Sequence, residues 1–220
     1  MITAYARNGA MALTLLATLS ACANQDADST PTSAASVLVQ TARDAITARQ
    51  QAKTPAPVRT PQEQATEALR VNAGPLIQVG FESLGRNQVL ALTGQNGTMR
   101  TYMTPAEEAV ILRNGMLVGT KGFGNDLAVA EPGTEGLIRA GQSGRGTRIM
   151  RYLGGDGLER PLQFDCTTGP GPNAGVMVED CTGHGLSFQN SYAVSGGQIP
   201  VSRQWVGPAL GYITVQTLRP

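Results

Sequence analysis

AVILRNGMLVGTK, residues 109–121, sets two apolar runs on either side of an Asn-Gly pair. A type I′ turn needs positive φ at both central residues, and Asn-Gly meets that need most readily. The stretch therefore reads as a β-hairpin turning at Asn114-Gly115, with AVILR and MLVGTK as its arms. The same grammar repeats upstream. LIQVGFESL (76–84) alternates with period two, and NQVLALTG (87–94) meets TMRTYM (98–103) through Gln95-Asn96-Gly97. Downstream, RIMRYL (148–153) and LERPLQFDC (158–166) flank Gly154-Gly155-Asp156-Gly157. SFQNSYAV (187–194) and IPVSRQWV (199–206) flank Ser195-Gly196-Gly197-Gln198, and GYITVQTL (211–218) closes the chain. With 27 glycines and 13 prolines in 220 residues, turns are plentiful. Successive hairpins predict a mainly β fold, an antiparallel sandwich or a partly closed barrel, with one or two short N-terminal helices.

The N-terminal segment has a different logic. Residues 1–21 hold one basic residue, Arg7, no acid, and the apolar run MALTLLATLSA. That is the layout of an export signal, and it is shorter than the roughly 20 apolar residues a membrane span requires. Its end, Leu19-Ser20-Ala21-Cys22, resembles a bacterial lipobox, in which the peptidase cuts before an acylated cysteine. Cys22 is then the lipid-attachment residue and the first residue of the mature chain; the rival is an ordinary secreted protein. One acyl chain binds a bilayer only marginally, whereas two or more hold it fast. Ala23, in place of the aspartate that favours inner-membrane retention in such lipoproteins, implies outer-membrane lipid as the anchor; a body facing the periplasm is a separate expectation that this residue does not itself give. Polar residues 23–34 read as a tether. ASVLVQTARDAITARQQ (35–51) can form a thin amphipathic helix, and Thr60-Pro61-Gln62-Glu63 offers a capping box opening a second helix that Asn72 and Gly74 would end. The expected organisation is a signal peptide at 1–21, a flexible tether with short helices at 22–72, and an antiparallel β domain at 73–220.

Charge and cysteine use narrow the function. The chain has 17 basic and 16 acidic residues, so losing Arg7 with the signal leaves 16 of each. Binding to nucleic acid requires a basic excess, and none exists. Cys166 and Cys181 flank a Gly/Pro/Asn loop between two strand-like segments. In an exported protein the pair reads as a disulfide, worth about 3 kcal/mol in the chain-entropy account. A zinc site would need about four Cys/His ligands, and the chain has a single histidine. No metal and no cofactor is expected.

Catalytic candidates are few. His184 stands in CTGHGLSF with Ser187 and Asp180 nearby in sequence, but triads assemble in space, and a histidine beside two glycines reads as a turn residue. Glu179 and Asp180 are adjacent in a strand, so they face opposite sides and cannot flank one glycosidic bond. Gly122-Phe123-Gly124 and Gly144-Arg145-Gly146 do not complete a phosphate-loop motif and read as turns. Beside four phenylalanines the mature chain has just Trp205 and four tyrosines, Tyr102, Tyr152, Tyr192 and Tyr212, which read as core more readily than as a sugar platform.

Two stretches, ILRNGMLVGTKGFGNDL (111–127) and FQNSYAVSGGQIPVSRQWVGP (188–208), resemble the YjbF/GfcB family of exopolysaccharide and group 4 capsule lipoproteins. The likeness spans roughly residues 60–220. It rests on Arg113, Gly115, Gly122, Gly124, Asp126 and Leu127, then on Phe188, Asn190, Tyr192, Ser202, Arg203, Gln204, Trp205, Gly207 and Pro208. Lys121, Ala193 and Pro200 depart from it, standing where the family tends to carry arginine, tryptophan and tryptophan. The resemblance implies an outer-membrane lipoprotein of mainly β fold, without catalytic residues or cofactor. The partners it implies are an outer-membrane barrel protein, other polysaccharide-export proteins and polysaccharide itself. The residues expected to form an interaction surface are Arg113, Lys121, Asp126, Arg203, Gln204 and Trp205, against the plainer reading that Arg203 pairs with a nearby acid such as Asp126. The function expected is a non-enzymatic accessory or docking component in exopolysaccharide or capsule assembly and export. The alternatives are a polysaccharide-modifying hydrolase using His184 and a structural envelope lipoprotein with no tie to polysaccharide.

Overall fold

The computed structural model describes residues 59–153 and 158–220. The signal segment, Cys22, the helix expected at 35–51 and the Gly154–Gly157 turn lie outside these residues.

Twelve strands are described: β1 Leu76–Phe81, β2 Arg86–Asn96, β3 Met99–Met103, β4 Ala109–Arg113, β5 Met116–Lys121, β6 Leu127–Pro132, β7 Gly144–Leu153, β8 Glu159–Pro170, β9 Val176–Gly183, β10 Leu186–Ser195, β11 Gln198–Gly207 and β12 Gly211–Arg219. They join in one antiparallel sheet in the order β5-β4-β3-β2-β1-β12-β11-β10-β9-β8-β7-β6. Read as a ring, every strand follows its sequence neighbour, which makes a nearly closed up-and-down barrel. The chain's two ends are sealed by a full β1–β12 ladder, Ile77 opposite Thr217 to Phe81 opposite Ile213. The seam falls instead between β5 and β6. There the backbone ladder gives way to side-chain bonds: Leu127 N donates to Thr120 Oγ1 at 2.9 Å, and Thr120 Oγ1 donates to Asp126 Oδ1 at 2.9 Å.

Local chemistry explains the hairpins. Asn114 (φ 50°) and Gly115 (φ 86°) both take the left-handed conformation that the type I′ turn requires. His184 (φ 52°) and Gly185 (φ 73°) do the same between β9 and β10. The disulfide joins Cys166 and Cys181, which stand directly opposite one another on β8 and β9.

A large ring should enclose empty space, yet this one is filled. Ile77, Val79, Phe81, Leu90, Val110, Met150, Phe164, Ile213 and Val215 form a continuous core. The reason lies across the ring. Gln204 on β11 accepts from Leu117 N on β5 at 2.9 Å and donates to Gly115 O at 3.3 Å. β5 and β11 are on opposite walls, so the barrel is pressed flat at this level, and the sandwich and barrel expectations describe one object.

Among the described residues two helices accompany the barrel: α1, Pro61–Val71, and α2, Glu135–Arg139. α1 opens with the expected capping box, Thr60 N donating to Glu63 Oε2 at 2.7 Å and Glu63 N to Thr60 Oγ1 at 3.3 Å. It buries no side chain completely. Nevertheless it is fastened to the barrel, not held in a free tether: Gln78 Nε2 donates to Pro61 O at 2.7 Å, and Arg219 donates to Leu69 O at 2.9 Å and to Asn72 O. Arg219 thus satisfies carbonyls that a helix C-terminus leaves unpaired.

The Gly144-Arg145-Gly146 turn expected from sequence is instead the start of strand β7. Its glycines serve close packing. A Cβ on Gly146 would sit 2.9 Å from Thr134 Cγ2, and one on Gly133 would sit 2.6 Å from Thr147 O, so the segment before α2 lies directly on β7.

Replacing Arg219 with alanine should release α1 while leaving the barrel intact. Hydrogen exchange followed by mass spectrometry is expected to show faster exchange over 61–72 and unchanged protection in β1 and β12.

Candidate functional site

Inside the barrel, β7, β9 and β10 each contribute one polar residue at a level where apolar side chains are the rule. Arg148, Glu179 and Asn190 alternate with exposed neighbours, so strand pleating turns them inward. Glu179 is fully buried and Arg148 is 1% exposed. An isolated buried carboxylate is prohibitively expensive, so partners are required. Arg148 Nη2 donates to Glu179 Oε2 at 2.7 Å and to the Tyr192 hydroxyl at 3.0 Å. Tyr192 in turn donates to Glu179 Oε2 at 3.1 Å, and Asn190 Nδ2 donates to the same oxygen at 2.8 Å. Thr134, ahead of α2, donates to Glu179 Oε1. Asn190 Oδ1 accepts from Trp205 N at 2.7 Å, which extends the network to β11. Arg148 Nε finds no partner among the described residues.

The electrostatics lock each group in one state. Burial pushes the Glu179 carboxyl up, but the Arg148 charge and the donors around it outweigh burial and hold it below the ordinary value of 4.5. Burial, with the Glu179 charge, raises the Tyr192 phenol well above 10, so it stays protonated. Glu179 also approaches the Cys166 and Cys181 sulfurs within 4.8 Å. Those sulfurs are bonded to each other, and a metal would need thiolates.

The six residues expected on one interaction surface are dispersed. Arg113 Nε donates to Glu135 Oε2 at 2.8 Å, beside Asn114 Nδ2 on Glu135 Oε1 at 2.5 Å, so this acid pins the β4–β5 turn to α2. Lys121 is exposed at the end of β5. Asp126 accepts from Gly122 N at 2.8 Å and Phe123 N at 3.2 Å, closing the seam turn. Arg203 does not reach Asp126: it forms a two-pronged pair with Glu82 at 2.6 and 2.7 Å and covers the Tyr212 ring at 3.6 Å. Gln204 and Trp205 are 1% and 8% exposed, and the Gln204 amide is taken up by Leu117 N, Gly115 O and Ser202 Oγ. Trp205 stacks on Phe188, with ring centroids 4.3 Å apart and planes at 17°. Sequence alternation places Glu179 and Asp180 on opposite faces, and the structure agrees, but no local signal identified Arg148 as the partner of Glu179.

His184 is exposed in its turn, and its Nε2 accepts from Gln163 N at 3.2 Å. Asp180 accepts from Gln189 Nε2 at 2.7 Å. Neither contact orients the imidazole as a base for a serine.

A flattened, filled up-and-down barrel is thus combined with a buried polar network built around the Glu179 carboxylate. Residues 36–218 match the family described as group 4 capsule polysaccharide lipoprotein gfcB, YjbF. The chain belongs to the YjbF family. The crystal structure of the hypothetical lipoprotein YmcC from Escherichia coli K12 superposes with a TM-score of 0.60, covering 87% of this chain and 98% of that one. At 16% identity that likeness speaks to the fold alone. No curated protein matches the sequence. Membership supports a role in capsule or polysaccharide assembly and a place in the cell envelope as a lipoprotein.

Removing one member of the buried pair should cost about 3–5 kcal/mol, because the other charge stays in the core. In urea titrations, Glu179→Gln and Arg148→Met are each expected to fall in this range, while Arg148→Met with Glu179→Leu recovers most of the loss. The folded carboxyl is depressed, so its contribution is complete above about pH 4.5 and disappears as pH falls through the folded value. The wild type should therefore lose more stability than Glu179→Gln between pH 5 and acid unfolding.

Proposed function

We propose that this chain is a non-enzymatic accessory component of exopolysaccharide or capsule export, held at the outer membrane through acylated Cys22. Its working partners are an outer-membrane barrel protein and other polysaccharide-export proteins, with its body in the periplasm. The observation that carries the reading is the match of residues 36–218 to a capsule polysaccharide lipoprotein family. The geometry supports the non-enzymatic part. General acid or base work needs a group poised near the working pH and open to substrate. Glu179 and Tyr192 are sealed in the core and driven away from neutrality in opposite directions. The lipobox supports the anchor, since a doubly or triply acylated cysteine keeps a barrel at a surface where a polymer passes.

Deleting the gene in its natural host should reduce or shorten secreted polysaccharide, measured by uronic-acid or total-sugar assay and by size-exclusion chromatography. Wild-type and His184→Ala chains should restore export. Cys22→Ser should appear in the soluble periplasmic fraction and restore little. Unchanged polymer in the deletion strain would refute the reading, as would full rescue by the unanchored variant.

A further inference from the structure

One end of the barrel opens into a cleft of about 360 Å³. Its walls are the β2–β3 and β4–β5 turns, the first residues of β11, Thr217 on β12 and Pro220 beyond it. The walls are held in place. Asn114 is fixed by Glu135, and a Cβ on Gly115 would sit 2.8 Å from Ile199 Cβ, so this turn already touches the opposite strand. Leu112, Ile199 and Pro200 provide apolar surface.

Two residues of β3 set the chemistry. Arg100 and Tyr102 are two apart, so they share the face on which Tyr102 and Leu112 are buried. Tyr102 is 3% exposed and lines the cleft, yet its hydroxyl has no hydrogen-bond partner among the described residues. Arg100 is half-buried and likewise makes no ion pair or hydrogen bond among them. Arg86, Arg113, Arg148 and Arg203, by contrast, are spent on Glu108, Glu135, Glu179 and Glu82. A partly desolvated guanidinium facing an open cavity is a fork for a carboxylate. Gln198 and Thr217 add further polar side chains around the same opening. A cation, hydroxyl and amide groups, and small apolar faces suit a sugar ring that carries a carboxylate. Barrel mouths are a common position for such sites.

We propose that this mouth binds an acidic sugar residue of the exported polymer, with Arg100 holding its carboxylate and Tyr102 a ring hydroxyl. The inference rests on the polysaccharide reading above and names the chemical class of the polymer it would meet.

The test uses the full lipidated chain purified from host membranes in detergent micelles. Trigalacturonic acid, its methyl ester and a tripeptide with a free carboxylate are titrated by calorimetry. The acid should bind, and the ester, in which a methyl group removes the charge at the carboxyl, should bind about tenfold or more weakly. Arg100→Gln should erase that preference, and Tyr102→Phe should weaken binding several-fold while removing a single oxygen. Equal binding of acid and ester, a preference that survives Arg100→Gln, or a tripeptide that binds as well as the saccharide would overturn the proposal. The failures are separable. Full rescue of export by Arg100→Gln in a deletion strain with impaired export defeats the cleft and spares the accessory role. A deletion strain with normal export defeats the accessory role, and calorimetry then decides the cleft alone.

Discussion

The Arg148–Glu179 pair is the constraint on which the interior depends. Its two charges cancel, so it supplies little net stability over a well-packed apolar pair, but neither charge can remain without the other. What it supplies is position. Arg148 lies on β7 and Glu179 on β9, with β8 between them. Tyr192 and Asn190 bring β10 to the same carboxylate, Thr134 brings the segment before α2, and Asn190 passes the connection to Trp205 on β11. A one-residue slip of any of these strands would turn its polar residue outward and leave the others unsatisfied. Hairpins alone fix each strand against its neighbour; this cluster fixes strands that are not neighbours.

Flattening is the second constraint, and it follows from the number of strands. Twelve strands in an open ring would surround water, and the apolar faces of β1, β4 and β12 would stay wet. Gln204 resolves this by bonding the backbone of the facing wall, which lets Phe81, Phe164 and Met150 meet in one core. The same Gln204 holds Ser202 Oγ at 2.9 Å, so its amide is fully occupied. It acts as a strut.

These devices mark the boundary of what the sequence reveals. Asn114-Gly115, the capping box at Thr60 and the alternation of 187–194 and 211–218 are local, and each becomes the element they indicate. Cys166 and Cys181 pair because a hairpin brings them face to face. By contrast, β6 has only six residues and an uneven pattern, and α2 is a helix of one turn, so neither rises above its surroundings in sequence. The partners of Glu179 and Gln204 lie 31 and 87 residues away, and no spacing rule reports them. Arg203 illustrates the same limit: its acid is Glu82, 121 residues distant, and not Asp126.

The residues that carry the family resemblance acquire a common explanation. Asp126 closes the seam turn, Arg113 ties a turn to α2, Asn190 and Tyr192 serve Glu179, Gln204 braces the walls and Trp205 fills the core. All of these are bonded or packed within the barrel itself, whereas Lys121 is exposed. On the proposed cleft reading, recognition uses groups that folding leaves idle, at β3 positions outside those two stretches. Arg100 and Tyr102 are the clearest pair, since both line the cleft and neither side chain has a hydrogen-bond partner among the described residues. A scaffold that spends one set of polar residues on its own geometry and withholds another can keep its shape while the withheld set changes with the polymer.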